Sequence, residues 1–206
     1  MSHHHTSLEQ SWKIIRRLNG DAKRCIRALQ ETPSDDAEEI AFWRRTYART
    51  VFAIMDGAVY QLMAHAYAAR YRRDVVFSLD ELQRLEKAYD FDEDREPSTT
   101  FSQTQMLEQI RFAFNAFARV HYSDYILPTH DPGWFFIKDI GYIRECLQFP
   151  REPASLEVYE ENIETLIEGL LWFIERMVEL MESSQEQAMM KFAAWESDQD
   201  ENEIIM

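Results

Sequence analysis

Arg45, Arg49, Phe52 and Asp56 lie within Trp43 to Gly57 at steps of four, three and four residues. That spacing stacks side chains on one side of a helix. Two guanidinium groups and a carboxylate beside a phenylalanine allow two kinds of chemistry. One is an anion-binding face. The other is a semi-buried ion network tying the helix to its neighbours, since a buried charge needs a partner. Arg49 and Asp56 are two turns apart, near the limit of direct contact. Of the histidines, His65, His121 and His130 share no metal-ligand spacing, apart from His121 and Asp124 at i, i+3. A surface or partly buried histidine explains that pair better than a ligand does. The cysteines Cys25 and Cys146 are too few for a disulfide framework or a cysteine-built zinc site. Cys146 reads as a small core hydrophobe. No glycine-rich loop opens a helix and no His-Glu-x-x-His occurs, so phosphate-cradle and zincin motifs are missing. No metal and no cofactor is expected.

The second informative stretch is Gly133-Trp134-Phe135-Phe136-Ile137-Lys138-Asp139-Ile140-Gly141-Tyr142-Ile143-Arg144-Glu145-Cys146-Leu147-Gln148-Phe149-Pro150. Its layout resembles the HEPN superfamily, helical-bundle proteins of prokaryotic toxin–antitoxin, antiphage and RNA-cleaving systems. Their signature is Arg, a polar residue that is often Asn, a few more residues and then His, with Pro frequently following. Arg144 matches the arginine and Pro150 the proline. Glu145 stands where Asn is frequent, and Phe149 stands where His belongs. The resemblance extends upstream to the arginine-rich segment from Arg44 to Asp56 and to Ser78-Leu79-Asp80-Glu81-Leu82, and spans residues 35–182.

For active members the resemblance implies a homodimer in which two motifs face each other, with Arg stabilising phosphate charge and His moving a proton without a metal. Phenylalanine cannot do general acid–base work, which is typically worth roughly 10²–10⁴-fold. Glu145 adds a negative charge that offsets the field of Arg144 toward an RNA phosphate. His121 or His130 are the candidates to supply a proton from another position. The reading of the residues alone keeps Arg144 as a helix C-terminal cation and Phe149-Pro150 as a hydrophobic stop.

The elements that must position these residues are helical. Leu8, Trp12, Ile15, Cys25, Ile26 and Leu29 mark an opening helix, with a kink expected at Asn19–Gly20. Thr32-Pro33-Ser34-Asp35 reads as the start of a long helix reaching about Arg70, with Thr32 as its cap. Ser78 to Glu81 is a capping box opening a short helix to about Ala88. Asp90 to Thr99 reads as a loop. A helix is expected from about Phe101 to His121, a loop from Tyr125 to Gly133, a helix from Trp134 to Leu147, and a last long helix from Tyr159. Strand signals are nearly absent, and the clearest candidate, Val75-Val76-Phe77, is too short to carry a sheet. The fold class is all-α, a single-domain bundle of five or six helices with up-and-down character.

The 206 residues carry a net charge of −15. Residues 1–150 hold 19 basic and 22 acidic residues, whereas 151–206 hold 3 and 15. Nucleic-acid affinity comes largely from Lys and Arg on phosphates, so RNA is disfavoured as a partner of the C-terminal quarter. No apolar run reaches the roughly 18 residues of a membrane span, no signal peptide is recognised, and a cytoplasmic address is the default. Met1 to Thr6, with His3, His4 and His5, reads as a tag remnant. Residues 7–182 form the bundle and 183–206 an acidic C-terminal extension. Met189, Met190, Phe192 and Trp195 form its apolar cluster. Such a segment either docks back on the body or lays its apolar face on a partner.

Three functions remain open. The first is a non-catalytic HEPN-like homodimer, an interaction or regulatory part of a toxin–antitoxin or antiphage system. The second is a metal-independent endoribonuclease using Arg144 with a relocated proton donor. The third is an acidic module that binds a basic protein partner.

Overall fold

The computed structural model describes residues 8–70, 75–89 and 103–203. Among them are six α-helices: α1 (Leu8–Glu31), α2 (Ala37–Ala69), α3 (Leu79–Tyr89), α4 (Gln103–Val120), α5 (Pro132–Gln148) and α6 (Glu160–Glu203). One 3₁₀ turn, Pro153–Leu156, joins α5 to α6. The fold is an all-α bundle. No described helix is long and apolar enough to cross a membrane. The tag remnant and the loop expected at Asp90 to Thr99 lie outside the described residues.

Helix boundaries follow side-chain chemistry. Thr32 does not cap α2 as expected. Its hydroxyl donates to the Ala28 carbonyl at 2.7 Å and so closes α1. A turn through Pro33 follows, and Asp36 takes the cap instead, accepting the Glu39 N–H at 3.1 Å. The Ser78 box forms as read: the Ser78 N–H donates to Glu81 Oε2 at 2.8 Å, and the Glu81 N–H to Ser78 Oγ at 3.3 Å. Asp131 caps α5 by accepting the Gly133 N–H at 2.8 Å, with Pro132 in the first turn. That amide hydrogen bond holds the Asp131 carboxyl below its ordinary range.

The end of α4 lacks the usual glycine. Tyr122 adopts a left-handed φ of 59°, the Ser123 N–H donates to the Ala118 carbonyl at 2.9 Å and the Tyr122 N–H to the Arg119 carbonyl at 3.2 Å. This is a Schellman ending with tyrosine at the glycine position.

Cross-helix contacts fix the directions. Gln103, at the start of α4, meets Lys138 and Glu145 of α5, and Arg111 lies over the Trp134 ring at 5.1 Å; α4 and α5 are therefore antiparallel. Trp172 of α6 packs on Gly133, and Tyr125 and Ser123 reach Glu179 and Ser183, so α6 runs antiparallel to α5. Arg44, near the start of α2, meets Glu160, the first residue of α6, at 3.7 Å. Two glycines allow the α5–α6 approach. A Cβ on Gly133 would stand 1.9 Å from Trp172 Cδ1, and one on Gly169 would stand 2.4 Å from Ile140 Cδ1. The core gathers Trp134, Phe114, Phe117 and Phe173 with aliphatic residues of α2, α5 and α6.

Three further segments belong to the same frame. α1 is one unbroken helix through Asn19 and Gly20. Val75 to Phe77 forms no strand; Val75 is buried, Val76 exposed, and Phe77 lies under Arg119 at 5.0 Å. α6 continues without a break past Glu182 to Glu203, because the polar run Ser183 to Gln187 contains no helix breaker. Met189 and Met190 do not dock back: they are 67% and 56% exposed. The side chains of Phe192 and Trp195 lie outside the described residues.

Candidate functional site

The two stretches singled out in the sequence meet in space. Arg144 sits on the core-facing side of α5, between buried Ile140 and Leu147. Its Nη1 donates to Asp56 Oδ1 of α2 at 2.7 Å. The Arg144 side chain is 9% exposed and that of Asp56 49%. The pair thus has a buried cation and a half-solvated anion. Burial raises the Asp56 carboxyl above its ordinary value, and the guanidinium pulls the other way without cancelling that rise.

Neighbouring residues of the motif serve different elements. The Glu145 Oε2 accepts the Gln103 N–H at 3.3 Å, at the first residue of α4. The Gln103 Nε2 donates to the Lys138 carbonyl at 2.6 Å. Glu145 therefore anchors a helix N-terminus, where a carboxylate also meets the favourable end of the dipole. Phe149 caps α5 through its own N–H to the Glu145 carbonyl at 3.0 Å, and its side chain is 43% exposed. Arg144 lies within the helix and is 7% exposed, whereas Phe149 follows its last residue. Arg144 thus points inward while Phe149 points out.

The histidines are remote from Arg144. His121 follows the last residue of α4, whose first residue contacts Glu145; 18 residues of helix rise separate the two ends by about 27 Å. The His121 ring packs on Phe117 at 4.3 Å. His130 is exposed in the loop before α5, and the twelve steps from Pro132 to Arg144 span about 18 Å. Within one chain, neither imidazole shares a site with Arg144. His65 packs edge-on to Phe117 at 6.0 Å, and burial lowers its pKa.

Arg45 is half-buried and Arg49 exposed. Asp56 takes its ion-pair partner from α5 and not from these residues of its own helix. Asp56 of this face ties α2 to α5, and Arg44, beside the face, reaches Glu160 of α6 at 3.7 Å. Among the described residues, no three His, Cys, Asp or Glu side chains converge as a metal site would require.

Comparison with protein-family models, curated proteins and solved structures finds no match to this chain. The residues themselves carry the functional argument. Gln103 was not anticipated as part of the site, and no local signal marks it. Arg119 was also missed: it donates to Glu81 and to the Val76 carbonyl, at 3.0 and 3.1 Å, and so pins α3 to α4. Its place in the last turn of α4 reads only as a dipole cation.

Proposed function

We propose that this chain is a non-catalytic interaction protein of HEPN-like architecture. The commitment of buried Arg144 to Asp56 carries the reading. An arginine that stabilises a phosphate must present its guanidinium to a ligand, and this one is turned into the bundle against a carboxylate. Phe149 supports the reading, because a phenyl ring has no proton to transfer. So does the separation of His121 and His130 from Arg144.

The resemblance adds a homodimeric assembly and a regulatory place in a prokaryotic toxin–antitoxin or antiphage system. The outer side of α5 supports a self-association surface: Phe135, Tyr142 and Phe149 recur every seven residues and are all exposed. Mixed charges lie among them, Lys138 over the Phe135 ring at 4.6 Å and Asp139 beside it, which suits contact with a second copy.

The test incubates the full chain with mixed-sequence RNA in EDTA, beside Arg144→Ala, His121→Ala and His130→Ala. No cleavage by the parent is expected, and light scattering is expected to return twice the 24.5 kDa chain mass. Cleavage by the parent that any of the three substitutions abolishes overturns the proposal and makes the chain a ribonuclease.

A further inference from the structure

The last helix has two apolar seams where a bundle helix needs one. The inner seam is Leu166, Leu170, Phe173, Met177 and Leu180, at steps of four, three, four and three; all are buried. One position further on, Ile167, Leu171, Ile174, Val178 and Met181 repeat the same steps. Ile167, Ile174 and Met181 lean on the edge of the core. Leu171 and Val178 stand 53% and 45% exposed. Alternating four- and three-residue steps are the pattern of a helix that packs along another helix. The register continues through Gln185 and Ala188, both exposed.

What borders this outer seam indicates what covers it. Glu164, Glu168, Glu175, Glu182 and Glu186 follow its solvent side, and all are exposed. Arg176 reaches Glu175 at 3.5 Å but turns mainly to Glu179 at 2.9 Å and to the Trp172 ring. α6 as a whole carries 13 acidic and 2 basic residues. Two copies of α6 laid seam to seam would set acid beside acid, which is unfavourable along a helix pair. A helix with apolar residues at matching steps and Lys or Arg at its flanks complements both features.

We infer that the outer seam of α6, centred on Leu171 and Val178, is a docking site for a basic amphipathic helix of a partner protein. This inference rests on the reading of the chain as an interaction protein and names its partner class. α6 has the length for it. Its 44 residues extend about 66 Å at 1.5 Å per residue, against 17 residues in α5.

The probe is a synthetic helix of about three heptads with leucine and isoleucine at the seam positions, made once with lysine flanks and once with glutamate flanks. Fluorescence anisotropy with the full chain reads binding. The lysine probe is expected to bind, more weakly as salt rises, and the glutamate probe is not. Leu171→Glu with Val178→Glu should weaken binding about tenfold or more, with helicity by circular dichroism and chain mass by light scattering unchanged. Reversing the edge with Glu168→Lys, Glu175→Lys and Glu182→Lys should swap the preference between probes.

Three results overturn the inference: no binding of the lysine probe, equal binding of both probes, or binding indifferent to Leu171→Glu with Val178→Glu. A fourth is self-association that this double variant abolishes, which assigns the seam to a second copy. RNA cleavage by the parent chain overturns the reading beneath it and is read independently of the probe.

Discussion

Removing either partner of the Arg144–Asp56 pair should have unequal consequences. Breaking a fully buried ion pair from one side costs about 3–5 kcal/mol, because the remaining charge is stranded. Breaking an exposed one costs about 1 kcal/mol or less. Asp56→Ala takes a carboxylate that is 49% exposed away from a guanidinium that is 9% exposed. Its cost should lie between these limits, at about 2 kcal/mol. Arg144→Met leaves a half-solvated carboxylate that water can satisfy and fills the arginine's place with an apolar chain. It should cost about 1 kcal/mol or less. The double variant should sit near Arg144→Met alone, leaving a coupling of about 1–2 kcal/mol. Urea denaturation followed by circular dichroism measures all four chains. With a slope of about 2 kcal/mol per molar, Asp56→Ala should lower the midpoint by about 1 M. Equal costs for the two single variants, or additivity in the double, would refute the claim that Arg144 is held chiefly by Asp56.

The remaining expectations concern the frame around the pair. Gly133→Ala places a methyl against Trp172, 1.9 Å from Cδ1, and the indole is backed by Trp134 at 5.9 Å; overpacking of about 2–3 kcal/mol should appear as a fall in Tm. Glu81→Ala removes both the reciprocal cap of α3 and the 3.0 Å ion pair to Arg119, so amide exchange in α3 should accelerate about tenfold while α5 amides stay protected. His65 is half-buried, and burial lowers its pKa below 6.5. The unfolded chain then binds the proton first as pH falls below 6.5, so stability drops on acidification through that window, by at most about 1.4 kcal/mol per pH unit. His65→Gln should flatten that part of the curve; an unchanged slope between about pH 7 and 5 would show another group to be responsible.

Most of the fold is legible because helices announce themselves locally. Apolar spacing marks α2, α4, α5 and the first half of α6, and the Ser78–Glu81 box is both readable and formed. A failure occurs where two local chemistries compete. Thr32 can cap the next helix or close the preceding one; it closes α1, since Asp36 offers α2 an alternative acceptor. The end of α4 is expected near His121 and stands at Val120, although Tyr122 and not glycine takes the left-handed position. The polar run Ser183 to Gln187 marks a change of composition, and α6 passes through it because none of its residues is a helix breaker.

The site is legible in a different sense. Both of its halves stand out in the sequence, Asp56 as a charge on a mixed helical face and Arg144 as a motif arginine, but nothing local joins residues 88 positions apart. The spacing argument looks for partners within one helix, and on that basis Arg49 is as plausible a companion for Asp56 as any residue. What selects Arg144 is burial. Its register on α5 places it between Ile140 and Leu147 on the inward side, where a guanidinium left without a carboxylate would be costly. Arg49 faces solvent and has no such need. The chemistry of Arg144 is therefore decided by the helical phase of α5 relative to the core. Arg144 is held on the inward side against Asp56, and Phe149, the residue after the helix, is exposed.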